Sequence, residues 1–542
     1  MELRRADLVF WFLRDRKLIA EEALRTPRRI PYAFLARVHS DSYLASLQKP
    51  ETLGRIFAVD PGDVRVDELL DTMRLACGAT LAAARESLAT GTPALNLLGG
   101  FHHAGRERGG GFCAFNDIAV AVACLRADGF HGRVAVLDLD AHPPDGTADC
   151  FEGAASVWMG SLSGVRWEAL SGVDETVLEA GTADTQYLHA LAELLSRCPP
   201  SELVFVIAGG DVLADDRLGL LGLTLRGVRR RDMKVAVSLA GIPQVWLPGG
   251  GYQRKAWQAL AGTALVLKGR PFRAIHARED PLRGHFEAIS RDIPLDALGG
   301  ASEELTQGDV DEMFGTPKPF QFRLMGFYTA QGMEYALYRY GVLGQLERLG
   351  YRQLRVAIDA TPTGDRMRLF GEAEGVEHTL AECVLSKTRL EDNDALLVNW
   401  LTLRNPRAHF SELRVPLPGQ DVPGLGMAHE TYELLGTMAK RLGFQTVAFR
   451  PSWFHMAYAA RSRFRFLDGA RQGRFEALLR DCKEVPLATL TRAVADGKLE
   501  LDSAPYTWEP EEMVFAETMP GSAQWTLLRD AERERIHFTL TA

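Results

Sequence analysis

The run Arg133-Val-Ala-Val-Leu-Asp138-Leu-Asp140-Ala-His142 decides how this chain folds. Four apolar residues in a row, with no polar residue on either alternate face, read as a short strand buried on both sides. The chemistry then changes at once, with Asp138, Asp140 and His142 set two apart. Asp140 and His142 can both turn toward one point after the strand ends, and an acid with an imidazole is a metal-ligand pair.

The pattern recurs on either side. Residues 94–98 lead into Gly99-Gly100, 156–159 into Ser161, 203–207 into Asp211, and 244–247 into Gly249-Gly-Gly-Tyr252. Helical patterns separate these runs, as at 67–89 and 184–197. Short apolar strands alternating with helices predict an α/β fold, a parallel sheet covered by helices on both faces. Ligands in such sheets gather at the carboxyl ends of the strands, where all these polar and glycine-rich segments fall.

A chain of 542 residues is too long for one core and predicts two domains. The expected division is a catalytic unit over 1–275, a linker over 276–319 rich in Arg, Asp, Gly and Pro, and a second α+β unit over 320–542. A net charge of −9 leaves no basic footprint for nucleic acid. No segment approaches about 18 uninterrupted apolar residues, so no membrane span is expected. The N-terminus lacks a signal-peptide pattern. The seven Cys are scattered without a CxxC pair, which suits reduced, buried thiols and a cytoplasmic location.

Asp211, at the end of another strand, can complete a three-ligand set with Asp140 and His142. Three protein ligands leave a position for water or substrate, as in catalytic zinc sites. Residues 99–117 add His102-His103, the turn Gly109-Gly110-Gly111-Phe112, and Asn116-Asp117 opening a helix. Adjacent strand residues face opposite ways, so the two histidines must sit on an irregular turn, which Gly99-Gly100 permits. A histidine pair suits proton transfer, and a tyrosine following glycines suits an oxyanion.

Four such motifs in this order resemble the histone deacetylase family of zinc amidohydrolases, over about residues 30–270. The resemblance implies an arginase/deacetylase-type fold and one zinc ion (Zn2+) held by Asp140, His142 and Asp211. It implies that His102 and His103 flank the reacting water, with Asp138 and Asp145 holding their imidazoles. Tyr252 would donate to the tetrahedral oxyanion. Gly111 and Phe112 would line the acyl-lysine tunnel, with Leu218, in Asp216-Arg-Leu218-Gly, on its wall. Ser161 and Leu162 would share a structural potassium ion (K+) with Asp138, Asp140 and His142. The implied substrate is an acylated lysine or a small acylated amine, with the oligomeric state left open. Three features depart from the family, the first being that its usual N-terminal His-Pro-Glu-Arg segment is absent. Pro143-Pro144 stand where it has His-Gly, and its second tunnel aromatic is absent, with Leu170 or Trp167 in that region.

Two other readings compete. An arginase-like amidinohydrolase binds two manganese ions and needs a carboxylate two residues after the distal Asp, where this chain has Leu213. A degenerate, catalytically weak scaffold would bind acyl-lysine without turning it over, but it would not need the full set of polar residues.

In the second half, a helix is expected near 332–349, followed by strands at 354–359, 366–370, 380–385, 395–403 and 412–416. The loop 419–426 then opens a helix through 442, and a strand at 446–449 follows. The segment 412–449 resembles the core of a Gcn5-related N-acetyltransferase. Asp421 stands in the pyrophosphate loop where that family has Gln or Arg, which predicts weak acetyl-CoA binding at most. A role in presenting substrate or covering the deacetylase rim is then expected.

Overall fold

The computed structural model describes residues 4–165, 167–276, 279–299, 322–412, 414–515, 517 and 522–540. The chain divides into two compact units, Met1–Gly284 and His285–Ala542. Of the expected linker, the helix Pro281–Asp292 and the short turn Asp296–Leu298 are seen. Residues 277, 278 and 300–319 of it lie outside the described residues.

The first unit is built on six strands: β1 (Ala94–Leu95), β2 (Val134–Asp138), β3 (Val157–Ser163), β4 (Val173–Val177), β5 (Leu203–Ile207) and β6 (Gln244–Leu247). They stand in the order β1-β6-β5-β2-β3-β4, and every neighbouring pair is parallel. Side chains alternate between two cores, as strand geometry requires. Val134 and Val136 of β2 join one cluster with the helices Val66–Thr90 and Asp117–Ala127. Ala135 and Leu137 join the other, with the helices Asp184–Arg197 and Leu225–Ser238. That double burial is why the strand reads as a continuous apolar run. The chain lays down β2 in mid-sheet, steps outward to β3 and β4, and returns to β5 on the other side of β2. The topological switch point therefore lies between β2 and β5, and their carboxyl ends open there.

The second unit holds a seven-stranded sheet in the order β12-β15-β11-β10-β9-β8-β7. Strands β7 (Arg352–Thr361), β8 (Gly364–Ala373), β9 (Val376–Leu390) and β10 (Asn393–Leu403) form an antiparallel meander. β11 (Thr446–Phe449) lies parallel to β10 after the crossover helix Ala428–Arg441. β15 (Met513–Phe515) and β12 (Phe464–Phe466) complete the sheet. β13 (Leu499–Leu501), β14 (Ala504–Pro505) and β16 (Phe538–Leu540) make a small separate one.

Two expectations fail here. The single helix near 332–349 is two, Ala330–Arg339 and Val342–Arg348, broken at Gly341 with φ +76°. The strand at 412–416 is absent from its described residues, 412 and 414–416, because β10 itself is the parallel partner of β11. Pro416 and Pro418 also lack the N–H a ladder needs.

All seven cysteines are free, and six are buried. Among the described residues, no helix is long and apolar enough to cross a membrane.

Candidate metal centre and active site

The loops leaving β2 and β5 bring Asp140, His142 and Asp211 together, with one ligand atom from each inside a 4.8 Å spread. His142 Nδ1 faces Asp211 Oδ2 at 3.0 Å and Asp140 Oδ1 at 3.2 Å. Backbone amides orient the carboxylates: Gly250 N–H donates to Asp140 Oδ2 at 2.6 Å, and Ala141 N–H to Asp211 Oδ1 at 3.0 Å. Residue 250 must be glycine, because a Cβ there would lie 2.5 Å from Asp211 Oδ2.

Burial and the neighbouring Asp140 carboxylate push Asp211 up to about 7. His142 is pushed up to about 10, since the two carboxylates outweigh its burial. Two buried acids converging on one imidazole thus hold a proton tightly, and a divalent cation competes for that same place. The donor set fits zinc: one imidazole nitrogen, two carboxylates and no hard-cation oxygen cage.

Beside this centre lie the two histidines, ring centroids 4.1 Å apart. His102 Nδ1 meets Asp138 Oδ2 at 2.8 Å, and His103 Nδ1 meets Asp145 Oδ1 at 2.6 Å. Pro143-Pro144 do not prevent the second pairing. Asp145 opens the helix Asp145–Cys150, and a proline just before a helix loses no needed N–H. The environments drive the pair apart. Burial pulls His102 down, but Asp138 and Asp140 overcome it and raise it to about 9. Burial and the charge on His102 lower His103 despite Asp145.

Tyr252 follows Gly249-Gly250-Gly251, and its backbone N–H donates to Asp216 Oδ2 at 2.8 Å. Burial, then Asp140 and Asp211, push its phenol far above the ordinary range, so it keeps its proton and can donate. Phe112 stands 5.5 Å from Tyr252 between ring centroids, in the left-handed region at φ +66°. Strain of this kind gathers at functional sites. Gly111 lies against His103, where a Cβ would come within 2.3 Å of the ring. Leu218 is 47% exposed, and its N–H donates to Asp216 Oδ1.

Of the two residues expected in the region of the missing aromatic, Trp167 stands 5.5 Å from His103 and 6.4 Å from His142 between centroids, whereas Leu170 packs against the core. Three contributors escaped the sequence reading. Arg5, on the helix Arg5–Asp15, donates to Gly250 O at 2.6 Å and Gly249 O at 2.7 Å beneath the glycine loop. Asp117 does more than open a helix. It accepts from Thr80 Oγ1 and from the Gly100 and Phe101 amides, which pins the turn before the histidines. The third, Arg231, donates to Gly209 O at 2.7 Å. Asn116 caps the same helix through Ala119 N–H, as its position implied.

The parallel sheet, with a His/Asp centre at its switch point, is an α/β fold of the arginase/deacetylase type. A histone deacetylase domain model matches residues 1–168. Histone deacetylase 2 of Arabidopsis thaliana is 34% identical over 268 residues, which cover 46% of this chain and 68% of that protein. This chain belongs to the histone deacetylase family. Histone deacetylase 8 of Xenopus tropicalis is 28% identical over 297 residues, covering 49% of this chain and 78% of the relative. A solved histone deacetylase homologue in complex with SAHA aligns at a TM-score of 0.44 and 23% identity, over 61% of this chain and 92% of that one.

Proposed function

We propose that the first unit is a zinc-dependent deacylase that hydrolyses the amide of an acyl-lysine or a related small acylated amine. The observation that carries this is the convergence of Asp140, His142 and Asp211 beside a histidine pair and a protonated tyrosine. Asp140, His142 and Asp211 would hold the zinc, which when bound would supply Lewis acidity toward the acyl carbonyl and the reacting water. The remaining work falls to the chain. His103, lowered by its surroundings, is the proton acceptor, and Asp145 fixes its ring. His102, held charged by Asp138, steadies the developing negative charge. Tyr252 donates to the oxyanion. Phe112, Trp167 and Leu218 line the approach for an aliphatic stem.

Ser161 Oγ, fully buried and without a hydrogen-bond partner among the described residues, supports the expected potassium site with Leu162, Asp138, Asp140 and His142. An arginase-like second metal has no ligand at Leu213, which is buried in the apolar core.

The decisive test is Asp211→Ala. Bound zinc and acetyl-lysine hydrolysis should both vanish, while full zinc occupancy in the variant refutes the ligand set.

For the second unit, the acetyltransferase-like reading rests on the crossover helix between parallel β10 and β11 and on the register shift at Val398/Trp400. Asp421 keeps its carboxylate in this loop, ion-paired with Arg404. Titrating the full chain with acetyl-CoA should show no micromolar binding, and such binding overturns this view of the loop.

A further inference from the structure

The ladder between β2 and β5 ends where Leu139 N–H donates to Ile207 O at 2.9 Å. Past that bond the two chains become the ligand loops. Two of their carbonyls, Leu139 O and Gly209 O, meet the same side chain. Arg231 Nη1 donates to Gly209 O at 2.7 Å and, more weakly, to Leu139 O at 3.4 Å. Leu139 directly precedes Asp140, and Gly209 stands two residues before Asp211. Arg231 comes from the helix Leu225–Ser238 and is wholly buried. Its Nε donates to Asp232 Oδ1 at 2.8 Å, and Asp232 Oδ2 accepts from Thr263 Oγ1 at 2.6 Å. Thr263 belongs to the neighbouring helix Ala256–Leu267.

A fully buried ion pair is weak evidence for stability, because apolar residues of similar volume often do as well or better. The pair therefore needs another reason to be here, and the two carbonyls supply one. Asp140 and Asp211 stand on two separate loops, and the ladder that fixes the spacing of β2 and β5 has already ended at Leu139. A guanidinium joining the backbones just ahead of both residues continues that tie up to the ligands.

We propose that Arg231 is a positioning residue for the metal centre, a clamp that sets the separation of the Asp140 and Asp211 loops, with Asp232 holding it in place. This rests on the metal-site reading above. Positioning partners of metal ligands are typically worth about 10–100-fold in metal affinity.

The test uses the full chain and two variants. Arg231→Met with Asp232→Leu replaces the pair by apolar volume, and Arg231→Lys keeps the charge but loses the fork. Zinc affinity is measured by chelator competition. Amide exchange of residues 139–142 and 209–212 is followed in the metal-free chain, beside thermal melting. The double variant should melt close to wild type, bind zinc about 10–100-fold more weakly, and exchange faster in those two loops. Arg231→Lys should fall between. A folded double variant with wild-type zinc affinity and wild-type loop exchange overturns the proposal. If the double variant fails to fold, unchanged affinity and exchange in Arg231→Lys do so instead. A wild-type chain that takes up no zinc refutes the metal-site reading, and loop exchange in the metal-free proteins then decides the clamp alone.

Discussion

Acid should weaken the first unit through a histidine outside the proton-transfer pair. His39 is 2% exposed and ties two segments together. Its Nδ1 lies 2.9 Å from Gly105 O, and its Nε2 accepts from Asn116 N–H at 3.1 Å. The ring must therefore be neutral, with its proton on Nδ1. Burial pushes it down to about 4, although Gly105 O and Asp149 pull the other way. For a base depressed in the folded state, the unfolded chain takes up the proton first as pH falls. The stability is complete above the usual 6.5 and is lost between there and about 4. At about 1.4 kcal/mol for each tenfold step, the loss is on the order of 3 kcal/mol. The damage should spread to the active site, because Asn116 Nδ2 donates to Ala104 O and Thr147 Oγ1, next to the histidine turn. Calorimetry between about pH 7.5 and about pH 4.5 on wild type and His39→Gln checks this. Glutamine keeps a donor and an acceptor but does not titrate. Wild type should lose about 2–3 kcal/mol more than the variant over that interval, or about 5–10 °C in the first unit's melting. Parallel profiles for the two proteins refute the reasoning.

Two further predictions follow from the site. Tyr252→Phe should keep its zinc and lose about 100–1,000-fold in kcat, the cost of one oxyanion donor, with near-normal turnover identifying Tyr252 as packing only. Trp167→Ala should leave metal content unchanged and lower kcat/KM for acyl-lysine peptides about 5–30-fold, the worth of about 1–2 kcal/mol of apolar contact along the stem. An equal loss for a minimal acetamide substrate would place the effect on His103 and not on the tunnel wall.

What was legible in this chain is what parallel sheets make legible. Strands buried on both faces are short apolar runs, so their ends are sharp, and 203–207 and 244–247 coincide with β5 and β6 to the residue. Asp140, His142 and Asp211 were visible because a polar residue just past such a run has few structural reasons to be there. The supports were hidden for the opposite reason. Arg5 reaches Gly249 across 244 positions, from a helix with nothing unusual in its pattern. Arg231 sits in Arg229-Arg230-Arg231-Asp232, which reads as a solvated helix face, yet its third member turns wholly inward. Trp167 lies in a loop whose length alone does not say which residue faces the histidines. The strand expected at 412–416 failed because Glu-Leu-Arg-Val-Pro, alternating charged and apolar residues, looks like an edge strand until β10 is seen to fill that place. The ligands themselves are local features, each readable from its own strand end. The distance between them is set from elsewhere, by a guanidinium below and a glycine loop above, and those contacts leave no trace in the neighbouring sequence. A variant that leaves every ligand in place can therefore still lose the metal, and Arg231 is where that separation between ligand identity and ligand spacing is open to measurement.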